Sequence, residues 1–175
     1  MNYSGDRILS QRETEISRFP AWVLVVIPLL AILFQVYIPL FFEFLSYLEL
    51  PLLVTIYFAL MRQSPIGGLL VGAFVGLAQD SLSKNPLGMF GIVKTLVGYL
   101  AAAVGVRFDV DHPLIRLMLA FALFVFHQFL YWTLSRALLA QQGGFDLQRT
   151  LILGLLNGFV GLSLFHFLDK LKERA

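Results

Sequence analysis

The sequence contains no cysteine and little charge. With cysteine at zero in 175 residues, disulfides, thiolate nucleophiles, iron–sulfur clusters and cysteine-ligated zinc are all excluded. Charged residues make up 14% of the chain, where a soluble domain carries about 25%. The formal net charge of +2 is too small for a nucleic-acid footprint. Catalytic constellations are missing too: there is no Gly-x-Ser-x-Gly, no His-Glu-x-x-His, no P-loop and no dense acidic set. The sequence therefore reads as a non-enzyme, and no cofactor is called for. What it has in excess is apolar surface. Hydrophobic residues reach 58%, including 17 phenylalanines, and the mean hydropathy is +0.80. A globule of this size cannot hide that much, so its solvent must be the lipid bilayer.

The charges divide the chain into long apolar windows, and a helix needs about 20 apolar residues to cross a membrane. Four windows pass unaided: 19–42, 63–79, 117–135 and 150–168. Two more need extension, one past Glu49 and one past Lys94. The result is an all-α, polytopic bundle of six spans at 20–41, 44–61, 64–81, 87–106, 114–138 and 150–169. A leader (1–19) precedes this transmembrane domain (20–169) and a basic tail (170–175) follows it. Orientation comes from the positive-inside bias. With both termini cytoplasmic, nine Lys and Arg fall inside and three outside (Lys84, Arg136 and Arg149), with Lys94 set aside as intramembrane. Omitting the 44–61 span gives a six-to-six tie. The apolar stretch from Ala21 to Phe42 is too long for the core of a cleaved signal and lacks its cleavage site, so it stays as an anchor. The leader fits either a short helix on the inner membrane surface or a polar tail.

Small residues recur at helical spacing in three spans: Gly68, Gly72 and Gly76; Gly91, Gly98 and Gly105; and Gly154, Gly158 and Gly161. Helices in lipid are held by close backbone approach and dispersion, so each stripe reads as a packing face within the bundle or a docking face for another membrane protein. Polar residues inside the membrane are costly and face protein or water. Asp80 ends the third span, and Lys94 lies roughly 10 Å below the tip of the hairpin that follows. The spacing suggests a pair between them that holds the hairpin. His127 sits mid-way along the fifth span and reads as a neutral histidine bonded to a neighbouring helix. Asp109-Val110-Asp111-His112 has metal-like residue types but too few converging ligands. Tyr131 and Trp132 suit an interfacial aromatic belt.

From Pro51 to Leu100 the order of features is specific. A span ending Tyr57-Phe58-Ala59-Leu60-Met61-Arg62 is followed by Gly67-Gly68-Leu69-Leu70-Val71-Gly72. Then come Gly76-Leu77-Ala78-Gln79-Asp80, Pro86-Leu87-Gly88 and Lys94-Thr95-Leu96-Val97-Gly98-Tyr99-Leu100. This stretch resembles the rod shape-determining protein MreD family, and the chain's length and span number suit it. Lys94 and the long leader depart from the pattern. The resemblance implies a non-enzymatic scaffold in the bacterial inner membrane, part of the machinery for cell elongation and lateral peptidoglycan synthesis. Its implied partner is MreC, and through it MreB and the glycosyltransferase–transpeptidase pair. Asp80, Pro86, Leu87 and Gly88 would then serve hairpin shape or partner contact. A second reading is the substrate-binding membrane subunit of an ECF-type vitamin transporter, another six-helix bundle. Such subunits carry an Ala-x-x-x-Ala docking motif in the first span, where this chain has only Ala21 and Ala31.

The charge bias makes orientation testable. Reporter fusions at Met1 and at Ala175 should both report the cytoplasm; opposite sides would remove the six-span arrangement.

Overall fold

In a computed structural model of the chain, residues 19–83 and 86–172 are described. The leader, apart from Phe19, lies outside them, as do Lys84, Asn85 and the last three residues of the basic tail. The described residues form six α-helices and no strand: α1 (Ala21–Tyr37), α2 (Leu50–Arg62), α3 (Pro65–Leu82), α4 (Met89–Gly105), α5 (Pro113–Leu139) and α6 (Leu147–Asp169). Five stretches are long and apolar enough to cross a membrane; Met89–Gly105 is a shorter apolar helix.

The architecture is organised around α2. Every residue from Pro51 to Met61 is buried, and α2 touches all five other helices. A helix that is apolar on all sides has no solvent face and belongs at the centre. Its 13 residues give about 20 Å of helix, short of the roughly 30 Å hydrocarbon thickness. The single helix anticipated over 44–61 is thus a 3-10 turn (Glu43–Tyr47), a break at Leu48 and Glu49, and then α2. Pro51 sits in the first turn of α2, where a missing N–H costs nothing.

Around this centre the other helices keep a lipid face. Along α1, Trp22, Val25, Leu29 and Leu30 are exposed while Val23 and Ile32 point inward. On α3 and α4, Ile66, Phe74, Ile92 and Leu96 look outward. The Glu49–Lys94 contact brings the starts of α2 and α4 together at one end of the bundle, and Tyr57, Arg116 and Asp169 bring the end of α2, the start of α5 and the end of α6 together at the other.

The α3–α4 hairpin is the tightest contact. A methyl group on Gly72 would come 2.6 Å from the Lys94 carbonyl carbon and 3.0 Å from Thr95 Cα. On Gly76 it would come 2.6 Å from the Phe90 carbonyl carbon, and on Gly68 2.9 Å from Ala102 Cβ. Glycines spaced by four on α3 therefore meet Phe90, Lys94 and Gly98 spaced by four on α4, backbone against backbone. The other stripes also face protein. Gly105 meets Leu60 of α2, Gly154 and Gly158 meet Phe121 and Leu117 of α5, and Gly161 meets Leu53 of α2. A methyl on Gly91 would come 2.8 Å from Leu77 Cδ2. In each case the absent side chain admits a neighbour that a Cβ would crowd.

Gly72→Leu should therefore lower thermal stability in detergent by about 1–3 kcal/mol or more, the usual cost of overpacking. Gly143→Ala is the control, because a methyl there meets nothing within 4 Å. Equal melting of the two variants would show that α3 and α4 do not pack through this seam.

Candidate functional site

The start of α4 has an unusual cap. Its N-cap residue, Gly88, adopts φ +95° and has no side chain to offer. The first N–H groups of a helix need acceptors, and in a membrane water is a poor source of them. Asp80, at the end of α3 and 1% exposed, supplies the acceptors from across the hairpin. Its Oδ2 accepts the N–H groups of Gly88 and Gly91, each at 2.9 Å, and its Oδ1 accepts that of Phe90 at 3.2 Å. A carboxylate at a helix N-terminus is favoured by the dipole as well as by these charge-assisted bonds. Gly88 must be glycine because φ near +95° is strained for any residue with a Cβ. Pro86 and Leu87 form the exposed turn before it, and the Pro86 carbonyl accepts the Met89 N–H.

This geometry corrects the anticipated Asp80–Lys94 pair. Asp80 has turned both oxygens to the backbone, and Lys94, fully buried, faces Glu49 instead, with Nζ 3.8 Å from Oε2. The ammonium also lies 4.2 Å from the centre of the Phe90 ring, a cation–π contact. Neither Lys94 Nζ nor Glu49 Oε2 makes a hydrogen bond among the described residues. The backbone break that brings Glu49 inward is pinned by Asn157 of α6. Its Oδ1 accepts the Glu49 N–H at 2.8 Å, and its Nδ2 donates to the Tyr47 carbonyl at 2.9 Å. His127 is the other correction: among the described residues it makes no hydrogen bond to a neighbouring helix but stacks on Phe90, ring centres 6.0 Å apart. Phe90 thus contacts both the imidazole and the ammonium. Gln79 Oε1, next to Asp80 in sequence, is likewise buried with no hydrogen-bond partner among the described residues.

At the opposite end a second cluster ties the helices together. Arg116, one turn into α5 and 6% exposed, donates to the Val110 carbonyl, to Asp111 at 3.1 Å and to Asp169 of α6. Tyr57 of buried α2 donates its hydroxyl to Asp169 at 2.9 Å, and Lys172 pairs with Asp169 at 3.2 Å. Asp109 accepts the Asp111 N–H, and His112 caps α5 by accepting the Leu114 N–H. The residues with metal-like types are engaged in this loop, and no group of three potential ligands converges among the described residues.

The lipid-facing side of the Asp80 hairpin holds an apolar groove of about 300 Å³, lined by Ala73, Leu77, Gly91, Ile92, Thr95 and Leu96. Phe74 and Leu87, each next in sequence to a lining residue, are 75% and 78% exposed.

The sequence profile of the rod shape-determining protein MreD matches residues 17–171. The chain belongs to the MreD family. No curated protein and no solved structure matches it. Membership gives it a part in rod shape determination, and its apolar helices make it a multi-pass membrane protein. The matched region spans the whole α3–α4 hairpin and, apart from Lys172, both polar clusters.

The sequence pattern singles out Asp80, Gly88 and Lys94 but misses Glu49, Asn157 and Arg116. Hydropathy makes Glu49 the edge of a continuous span; the Leu48–Glu49 break makes it an inward-facing residue. Arg116 reads from sequence as a loop charge. The available signal is its opposite, Asp169, at the same end of the last span.

The ion pair can be weighed by a double-mutant cycle. Removing one partner strands the other charge, which typically costs about 3–5 kcal/mol. Glu49→Gln should destabilise strongly, while Glu49→Gln with Lys94→Met should recover much of the loss. The coupling of Asp80→Ala with Lys94→Met should be smaller. A larger coupling to Asp80 than to Glu49 in thermal melts would refute this pairing.

Proposed function

We propose that this protein is an inner-membrane scaffold of the bacterial elongation machinery, with both termini in the cytoplasm. In this reading it docks MreC within the membrane and through it connects MreB to the glycosyltransferase–transpeptidase pair that builds the lateral wall. The observation that carries the reading is the family match over 17–171, and it favours scaffolding over vitamin transport. The α3–α4 groove is the docking face in this proposal. Packing and van der Waals contact drive helix association in lipid, and the groove offers an open apolar channel lined by Leu77, Ile92 and Leu96. The rigid glycine seam behind it and the Asp80 carboxylate on the backbone of α4 would hold its shape. Asp80, Gly88 and Lys94 would act on the hairpin; Leu87 and the outward rows of α3 and α4 would meet the partner.

Leu96→Trp fills the groove from a position 46% exposed, where folding has little at stake. Recovery of MreC by co-purification from mild detergent should fall about tenfold or more, the loss expected when a well-packed contact is blocked. Rod shape should be lost in complementation while melting stays normal. Undiminished MreC recovery would exclude this face, and co-purification of an ATPase transport module instead of wall-synthesis proteins would favour the transporter reading.

A further inference from the structure

The connection between α1 and α2 is apolar where a loop in water would be polar. Over residues 38–48 the only charge is Glu43. Leu40, Phe41, Phe42 and Phe44 are all exposed, Phe41 at 79%. An exposed apolar cluster of this kind marks a surface that something covers. The backbone of the connection is also closed on itself. The N–H groups of Phe41 and Phe42 donate to the Ile38 carbonyl at 2.9 and 3.0 Å. Those of Leu45 and Leu48 donate to the Phe42 and Leu45 carbonyls at 3.0 and 3.2 Å, and Pro39 has no N–H to satisfy. A segment in lipid must meet its backbone groups internally, whereas a loop in water need not.

The depth of this connection follows from what holds its two feet. Arg136 and Arg149 are exposed near the ends of α5 and α6 and mark the height at which those helices leave the hydrocarbon. Asn157 lies roughly 12 Å deeper along α6 than Arg149. It is Asn157 that bonds the Tyr47 carbonyl and the Glu49 N–H, at 2.9 and 2.8 Å. The backbone at this foot is therefore sunk below the hydrocarbon boundary, and the Tyr47 ring reaches back toward it, 5.6 Å from the Arg149 guanidinium. The other foot begins at the same level, because Gln35 Oε1, near the end of α1, accepts the Leu50 N–H at 3.4 Å.

What covers the rings is decided by their border. A protein-docking face has an apolar centre and a polar rim. Here no rim separates the connection from the lipid face of α1, where Val26, Leu30 and Tyr37 are exposed along one side of the helix. Tyr37 and Tyr47 at the two feet each combine an apolar ring with a hydroxyl, the chemistry of a membrane–water interface. We propose that residues 38–48 lie in the plane of the membrane interface, with Phe41, Phe42 and Phe44 seated among the acyl chains of one phospholipid leaflet. The segment is then an anchor laid across the end of short α2, while the α5–α6 tip, where Gln141 and Gln142 are exposed, stands in water. The proposal does not rest on MreC docking, nor on which end of the bundle is cytoplasmic, since a leaflet bounds both ends.

The absence of cysteine makes a single introduced thiol a unique label site. The test uses the full-length chain carrying Phe42→Cys, or Gln142→Cys as the water-exposed reference. Each is spin-labelled and reconstituted in vesicles of phosphatidylethanolamine and phosphatidylglycerol. Collision of the label with oxygen, which dissolves in acyl chains, is compared with collision with a nickel chelate, which stays in water. Phe42→Cys should meet oxygen readily and the chelate little, and Gln142→Cys should show the reverse, so that the oxygen-to-chelate ratio differs several-fold between them. Phe41→Cys gives a second reading on the same segment, and both positions are exposed enough that melting should stay normal. Free access of the chelate to positions 41 and 42 would put the segment in water and overturn the proposal. Poor access of both reagents would mean that protein, such as a second copy of the chain, covers the rings, and would overturn it equally.

Discussion

Burial of a 13-residue helix, α2, on every side dictates how the bundle is assembled. Apolar residues over its whole circumference leave it no lipid or water face, so the other five helices must enclose it. Enclosure then creates a problem at each end. A short helix stops inside the hydrocarbon thickness, where open backbone groups and charges have few partners. The two polar clusters of this protein sit at those ends.

At one end the chain enters α2 through a break. Asn157 holds both sides of it, Glu49 turns inward, and Lys94 answers from α4. At the other end the hydroxyl of Tyr57 reaches Asp169, which Arg116 binds in turn. Neither cluster is a general stabiliser in the sense of surface ion pairs, which contribute little. Their effect is one of register, because each joins elements distant in sequence and removing one member leaves a buried group unpaired. Between them the α3–α4 hairpin is fixed twice, by glycines that let the backbones touch and by a carboxylate that caps α4 from its neighbour.

This internal rigidity bears on shape determination. The scaffold role proposed above needs a constant surface, and here the glycine stripes are spent on the inside, leaving large apolar side chains such as Phe74, Leu87 and Ile92 outside. Such a division suits a protein that docks other membrane segments.

Composition, the length of uncharged windows and the order of motifs from Pro51 to Leu100 were enough to read the lipid solvent, the all-helical class, the apolar segments and the family. All of these are local properties of the chain. Asp80, Gly88 and Lys94 were legible at a hairpin for the same reason, because a short connection between two spans forces them near one another. Which charges meet was legible only in the folded chain. Asp80 and Lys94 are close along the hairpin, yet the glycine seam brings the α4 backbone within reach of Asp80 and turns Lys94 toward Glu49, far back in the chain. The break before α2, its central place and the Arg116–Asp169 contact were equally hidden. Each arises from three-dimensional packing between segments far apart in sequence, and hydropathy, which averages over neighbours along the chain, carries no record of it.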